Sequence, residues 1–343
     1  MSGGMMQING SNLRFSVLNS TLKENTASNG DGGCIFGRSD ITMDIQNTNI
    51  VSNQAGKNGG CMSFGDDTNI NISSCILDKN IANQSGGIMY MKTRSYMHLV
   101  RNTTITNNKA IYRDGGGFYN LAIYNIVSTT IHNNSARENG GFLYVDMMYE
   151  NKLRIIQSSF RNNIAKTKSG GVMIIHNVLP DGLFVDIEGT QYVQNQAGMS
   201  GGMMQINGSN LRFSVLNSTL KENTASNGDG GCIFGRSDIT MDIQNTNIVS
   251  NQAGKNGGCM SFGDDTNINI SSCILDKNIA NQSGGALRVE NNMVLGISNL
   301  IVKHNIAREG YGGVFSSGNQ FILYSKNIAF VGNAATERNG GCI

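Results

Sequence analysis

A pair of glycines recurs along this chain every 25–31 residues, beginning at positions 3, 32, 59, 86, 115, 140, 170, 201, 230, 257, 284, 312 and 340. Twelve complete intervals result. An interval this short holds one small structural unit. Such a unit buries its apolar face only by stacking on its neighbours. The chain is therefore constrained to a stacked array before any other feature is considered.

Each interval repeats one internal order. Counting the first glycine as one, position four is always apolar, from Met6, Ile35, Met62 and Met89 through to Ile343. Alternating stretches follow, such as TMDIQ with Met43 and Ile45, or NINIS with Ile70 and Ile72. The signature apolar-x-x-Asn-x-Ala then closes the interval. Its apolar residues are Leu22, Ile50, Leu77, Ile105, Ile131, Phe160, Tyr192, Leu220, Ile248, Leu275, Val302 and Phe330. Two positions before each stands Ser, Thr or Cys, except at Leu300 and Ile328. Positions seven and five before it are both apolar, except where His98 and Ser325 intervene.

Alternation of period two specifies strands. The connecting stretches are rich in Gly, Asn and Ser and carry no 3.6 period, so no helix fits between them. The sequence reads as all-β: a single-stranded parallel β-helix (β-solenoid) of about twelve coils of 25–31 residues, with three short strands per coil. At about 4.8 Å per coil it would run roughly 58 Å. A leucine-rich repeat has a similar period but needs a leucine where this chain places Ser, Thr or Cys. It also needs a helical convex segment where this chain places the Gly pair. Residues 1–343 form one continuous repeat array, and residues 1–87 return unchanged as 199–285. We expect the array to be a stretch of a longer chain, because MSGGMMQING at its start matches an internal segment.

Composition narrows the function. Only 15% of residues are charged and the net charge is +2, with no basic stripe, which argues against a nucleic-acid partner. No run approaches the roughly 18 apolar residues of a membrane helix, so no membrane insertion is expected in this segment. The repeated Asn tolerates left-handed backbone. Stacked once per coil, its amide can donate and accept along the axis. The Gly pair supplies a sharp turn. The motif thus reads as the corner of each coil and not as a ligand code.

The tetrapeptides GGAL at 284–287, FRNN at 160–163 and FVGN at 330–333 resemble the paired motifs GGA[ILV] and FxxN. These define the polymorphic membrane protein repeat of chlamydial autotransporter adhesins, found also in surface proteins of some protists. The resemblance covers the chain in phase. Its Ala is usually replaced here by Cys, Val, Met or Ile, and its Phe by Leu or Ile. It implies a right-handed parallel β-helix with a role in surface display and adhesion.

Several residues stand out as site candidates. One position past each inward apolar residue should face outward. It reads Phe36, Ser63, Tyr90, Tyr119, Tyr144 and Ile174 in successive coils. Tyr90, Tyr119 and Tyr144, flanked by Ile88 and Phe142, form an expected apolar outer strip for binding. A flap from the variable stretch could equally cover it. Cys34 with Cys61, and Cys232 with Cys259, follow Gly pairs in adjacent coils and are disulfide candidates. Cys75 and Cys273 fill the Ser/Thr slot and read as small buried residues. Asn-x-Ser/Thr sequons at Asn9, Asn19, Asn71, Asn83, Asn102, Asn133, Asn207, Asn217, Asn269 and Asn281 are glycosylation candidates. The histidines and cysteines show no metal spacing, and no cofactor motif is present. The acidic pair Asp66–Asp67, with its copy Asp264–Asp265, sits in a loop without an aligned base, so no catalytic residue is assigned. The expected function is a structural or adhesive extracellular or cell-surface rod or fibre. Its partners would be copies of itself, other surface proteins or glycans. A carbohydrate-active or glycan-binding β-helix is the alternative.

Overall fold

A computed structural model describes residues 2–10, 12–120, 122–148 and 151–343. It is all-β among these residues: a parallel solenoid of about twelve coils built from three sheets. The coil that starts at Gly59 shows the plan. Met62–Phe64 lies in the first sheet, Asn69–Ser73 and Ile76–Asp78 in the second, and Ile81–Ala82 in the third. The first and third sheets have 12 strands each and the second has 24. Eight coils give two strands to the middle sheet, two give three, and the last two give one long strand each, Met293–Lys303 and Phe321–Val331, so most coils hold four strands where the sequence predicts three. A residue with left-handed backbone splits the two strands, Ser74 in the coil at Gly59 and Asn47 in the one before. Among the described residues no helix is long and apolar enough to cross a membrane.

Register follows the repeat without slippage at the signature. Ile50 pairs with Leu77 and Leu77 with Ile105. Inward residues of all three sheets make one continuous core. In NINIS, Ile70 and Ile72 are fully buried while the asparagines between them are half-exposed. Phe160 and Tyr192 stack at 4.7 Å within that core, and the Tyr192 hydroxyl finds no hydrogen-bond partner there. His98 breaks the apolar pattern because the coil takes one extra residue. Asn69 pairs with Tyr96 but Ile72 pairs with Val100, so His98 is pushed outward and Met97 and Val100 fill the core.

The signature Asn is the main tie between coils. The side-chain Nδ2 of Asn53 donates to Oδ1 of Asn80 at 2.9 Å, and its backbone N–H donates to the same oxygen at 3.1 Å. The same Nδ2 donates backward to the carbonyl of Leu22 at 2.8 Å. Links of this kind run from Asn25 to Asn333 without a gap, at 2.9–3.1 Å. The ladder satisfies polar groups that water cannot reach. One expectation is corrected here. The ladder Asn does not itself take the left-handed corner. The residue before it does, as at Ser52, Lys79, Asn107 and Asn162, with φ of 52–57°. The ladder residue is needed for its amide, and its neighbour makes the bend.

Two further ladders complete the tie. In the Ser/Thr slot, the N–H of Thr129 donates to Ser158 Oγ at 3.2 Å, and that of Ser158 to Thr190 Oγ1 at 3.3 Å. Cys273 serves the same place with its sulfur, accepting from the N–H of Thr246 at 3.3 Å. The third ladder was not read from the sequence. It uses the polar residue just before each Gly pair and points the other way: the N–H of Asn58 donates to Asp31 Oδ1, and the N–H of Ser85 to Asn58 Oδ1. The glycines follow from the same stacking. Gly59 has φ of +64°, and a Cβ on Gly60 would collide with the carbonyl oxygen of Gly87 in the next coil.

Replacing Asn163 by Ala removes the partner of the Asn134 N–H, one of the two partners of Asn134 Nδ2 and the side-chain donor to the Ile131 carbonyl, all at buried positions. The expected loss is about 1–3 kcal/mol. Urea unfolding of Asn163→Ala beside the parent chain checks this, and an unchanged midpoint would rule out a stabilising ladder.

Candidate functional site

The outward row of the first sheet is the most differentiated surface of the solenoid. Strand register sets it: Phe36 pairs with Ser63, Ser63 with Tyr90, Tyr90 with Tyr119 and Tyr119 with Tyr144. The three tyrosines expected to form a strip stack with their rings parallel. Tyr90 and Tyr119 lie 4.8 Å apart at 7°, and Tyr119 and Tyr144 lie 4.7 Å apart at 2°. The His176 ring follows Tyr144 at 5.1 Å. The stack is half-buried, so each phenol keeps an exposed edge.

The flanks of this strip differ from expectation. Ile88 and Phe142 face the core and are fully buried. Phe142 packs edge-on against Phe118 at 5.3 Å and Phe160 at 6.4 Å. Between the two end coils, the residue after the Gly pair and the next one are both buried, as Cys61 and Met62 are. Simple alternation fails there because the Gly turn delivers the chain into the sheet off its regular pleat. The strip is thus narrower than read, a single column of rings. Ile174, its next member, is only 1% exposed although it lies outside the central core cluster.

Burial shapes the chemistry of the phenols. Desolvation, with the phenolate of Tyr90 and the carboxylate of Asp114 nearby, pushes Tyr119 up to about 12. Tyr144 and Tyr90 move in the same direction, again chiefly through burial. The neutral phenol is the form this column favours.

Two grooves open on the same outward row. One, of about 520 Å³, is bounded by Phe36, Ser63 and Tyr90. The other, of about 350 Å³, is bounded by Phe234, Ser261 and Arg288, the same places in the second copy. Each groove lies where a serine, Ser63 or Ser261, takes a rung of the outward row between larger side chains.

Cys34 and Cys61 meet in the core with their sulfurs 2.7 Å apart, and both are free thiols. Cys232 and Cys259 meet in the second copy, also as free thiols. Burial raises the thiols of Cys61 and Cys232 far above their ordinary range. Cys75 and Cys273 are buried at 2% and 3% exposure. Every sequon asparagine is at least partly exposed. Asp66 accepts from the Thr93 hydroxyl at 2.6 Å and the Thr93 N–H at 2.9 Å, which lowers its pKa. Its copy Asp264 accepts from Asn291 Nδ2 at 2.8 Å. These carboxylates build turns between coils. Among the described residues no three His, Cys, Asp or Glu side chains converge on a metal position.

The fold and these surfaces define a class: a parallel β-solenoid repeat protein with a ring-lined outer face. No protein-family model, no curated protein and no solved structure matches the chain.

Alkaline titration tests the tyrosine column. A folded pKa raised above the ordinary 10.0 means that the neutral phenol stabilises the fold. That contribution is present below pH 10.0 and is lost as pH rises through about 12. Phenolate absorbance should show a late phase that shrinks in Tyr119→Phe. A single phase at the ordinary tyrosine value would place these rings in open solvent.

Proposed function

We propose that this chain is a stiff extracellular or cell-surface rod with a structural or adhesive role. The observation that carries this reading is the uninterrupted asparagine ladder from Asn25 to Asn333, which locks each coil to the next in one register. A stack tied by side-chain ladders on all its turns resists bending and local opening. The exposed sequons support a secretory route, and the resemblance to GGA[ILV]/FxxN repeats supports surface display. The tyrosine column offers a lateral contact for another copy, a surface protein or a glycan. We assign no enzymatic activity, because the acidic pairs are spent on turn formation and Asp66 is held ionised. A glycan-binding role is the second reading, favoured by the two ring-walled grooves.

The internal duplication permits a clean test. Deleting residues 88–285 joins Gly87 to Ala286 at the point where the two copies end, so coil register is kept. A rod should shorten by about 34 Å, seven coils at about 4.8 Å each, with its cross-section unchanged. Small-angle scattering of both chains measures this, and an unaltered maximum dimension would reject the rod. Placement is read by antibody staining of intact source cells. Signal seen only after permeabilisation would remove the surface assignment.

A further inference from the structure

The outward column of the first sheet is a stack of rings with one rung missing. Tyr119 covers one face of Tyr90. The other face turns to the preceding coil, where Ser63 stands, and beyond Ser63 comes Phe36. Ser63 is 4% exposed and forms the floor between the two rings. Coils are about 4.8 Å apart, so the two walls lie roughly 10 Å from each other. The space can hold one ring between two rings. The second copy repeats the floor and one wall, with Ser261 at 5% exposure and Phe234 beside it. Its other wall is Arg288, whose guanidinium donates to Ser316 Oγ at 3.1 Å.

We infer that Ser63 and Ser261 mark two saccharide-binding slots, each taking one pyranose ring edge-on into the missing rung. A pyranose presents C–H groups on its two faces and hydroxyls around its rim. The slot has the matching arrangement: rings above and below, and polar groups in the plane between them. At about 4.8 Å from each wall a puckered pyranose touches both. In the plane stands Asn58, and at the rim, from the coil of Phe36, stand Arg38 and Asp31, whose Oδ1 accepts from Asn58 at 3.0 Å and whose other oxygen is left for a hydroxyl. Among the described residues Arg38 makes no side-chain hydrogen bond or ion pair within the fold. Grooves of this size lie within the ordinary range for small-ligand sites.

The two slots differ where the duplication ends. Identity stops at Gly87 and Gly285, three residues before the second wall. The first slot is completed by Tyr90 and Lys92, the second by Arg288 and Glu290. With Arg38 and Lys92 against Asp31, the first slot carries a net positive rim and suits a pyranose bearing a carboxylate. With Arg236 and Arg288 against Asp229 and Glu290, the second is balanced and suits a neutral sugar. A guanidinium wall replaces a phenol wall and still offers a flat face. The shared half thus fixes the ring, and the divergent half selects its charge.

This inference deepens the glycan-binding reading and stands apart from the rod. Titration calorimetry and saturation-transfer NMR on the full chain test it, with trigalacturonate as the acidic probe and cellotriose as the neutral one. Trigalacturonate should bind the parent chain, with its ring protons saturated by protein. Ser63→Phe supplies the missing ring and should weaken trigalacturonate by at least about tenfold, while Ser261→Phe should do the same to cellotriose. The double variant should bind neither, with an unchanged circular dichroism spectrum. Should Ser63→Phe fail to fold, Lys92→Glu reads the same slot at its exposed rim and should abolish the preference for the acidic probe. Failure of both sugars to bind the parent chain overturns the inference, as does binding that survives in the double variant. Binding of N-acetyltyrosine amide in place of the sugars overturns it in favour of an aromatic side chain of a protein partner. Shortening of the deleted chain reports on the rod alone, so the two proposals fail separately.

Discussion

The buried asparagine of each coil is the interaction on which the rest of this structure depends. At Asn163 the side-chain Nδ2 donates to the Ile131 carbonyl and to Asn195 Oδ1, and Oδ1 accepts from the N–H and Nδ2 of Asn134, so the amide joins both neighbouring coils through groups that water cannot reach. An unmade bond of this kind costs more than a made one returns, about 1–3 kcal/mol against roughly 1. Register is therefore enforced by exclusion: a coil displaced by one residue would bury several polar groups with no partner. Once register is fixed, side-chain columns follow automatically. Ile70 lies over Met43, Leu77 over Ile50, and Tyr119 over Tyr90.

Columns turn a one-dimensional sequence into a surface that can be edited one rung at a time. Inside, the column at the signature tolerates Leu, Ile, Phe, Tyr and Val, because neighbouring coils adjust in volume; Phe160 and Tyr192 stack where two large residues coincide. Outside, the same logic yields a run of tyrosine rings and, one coil earlier, a gap the width of one ring. Changing the inner ladder strands buried polar groups at about 1–3 kcal/mol, whereas the outer column can vary without that cost. Any specific recognition by this molecule is expected on the outer column for that reason. The duplicated 87 residues show it directly. Their sequence is identical, yet the grooves they form differ, because the last wall of each comes from the coil that follows the identity.

The sequence by itself determined the all-β solenoid, the coil boundaries, the inward columns of the alternating stretches and of the signature, and the stacking of Asn on Asn. These are legible because each is written twelve times in phase, and a period-two pattern beside a turn signal has one physical solution. Three things were decided only by tertiary structure. The left-handed corner sits one residue before the ladder Asn, because the amide must point inward while the chain bends, and a single residue cannot do both. Ile88 and Phe142 lie in the core and not on the surface, because the Gly turn enters the sheet out of the simple pleat. The slots at Ser63 and Ser261 exist only through the rungs above and below them, which lie 27 residues away in the chain on either side. A serine has no feature that announces a cavity. The cavity comes from the neighbours that stacking supplies, and stacking is a property of the folded coil.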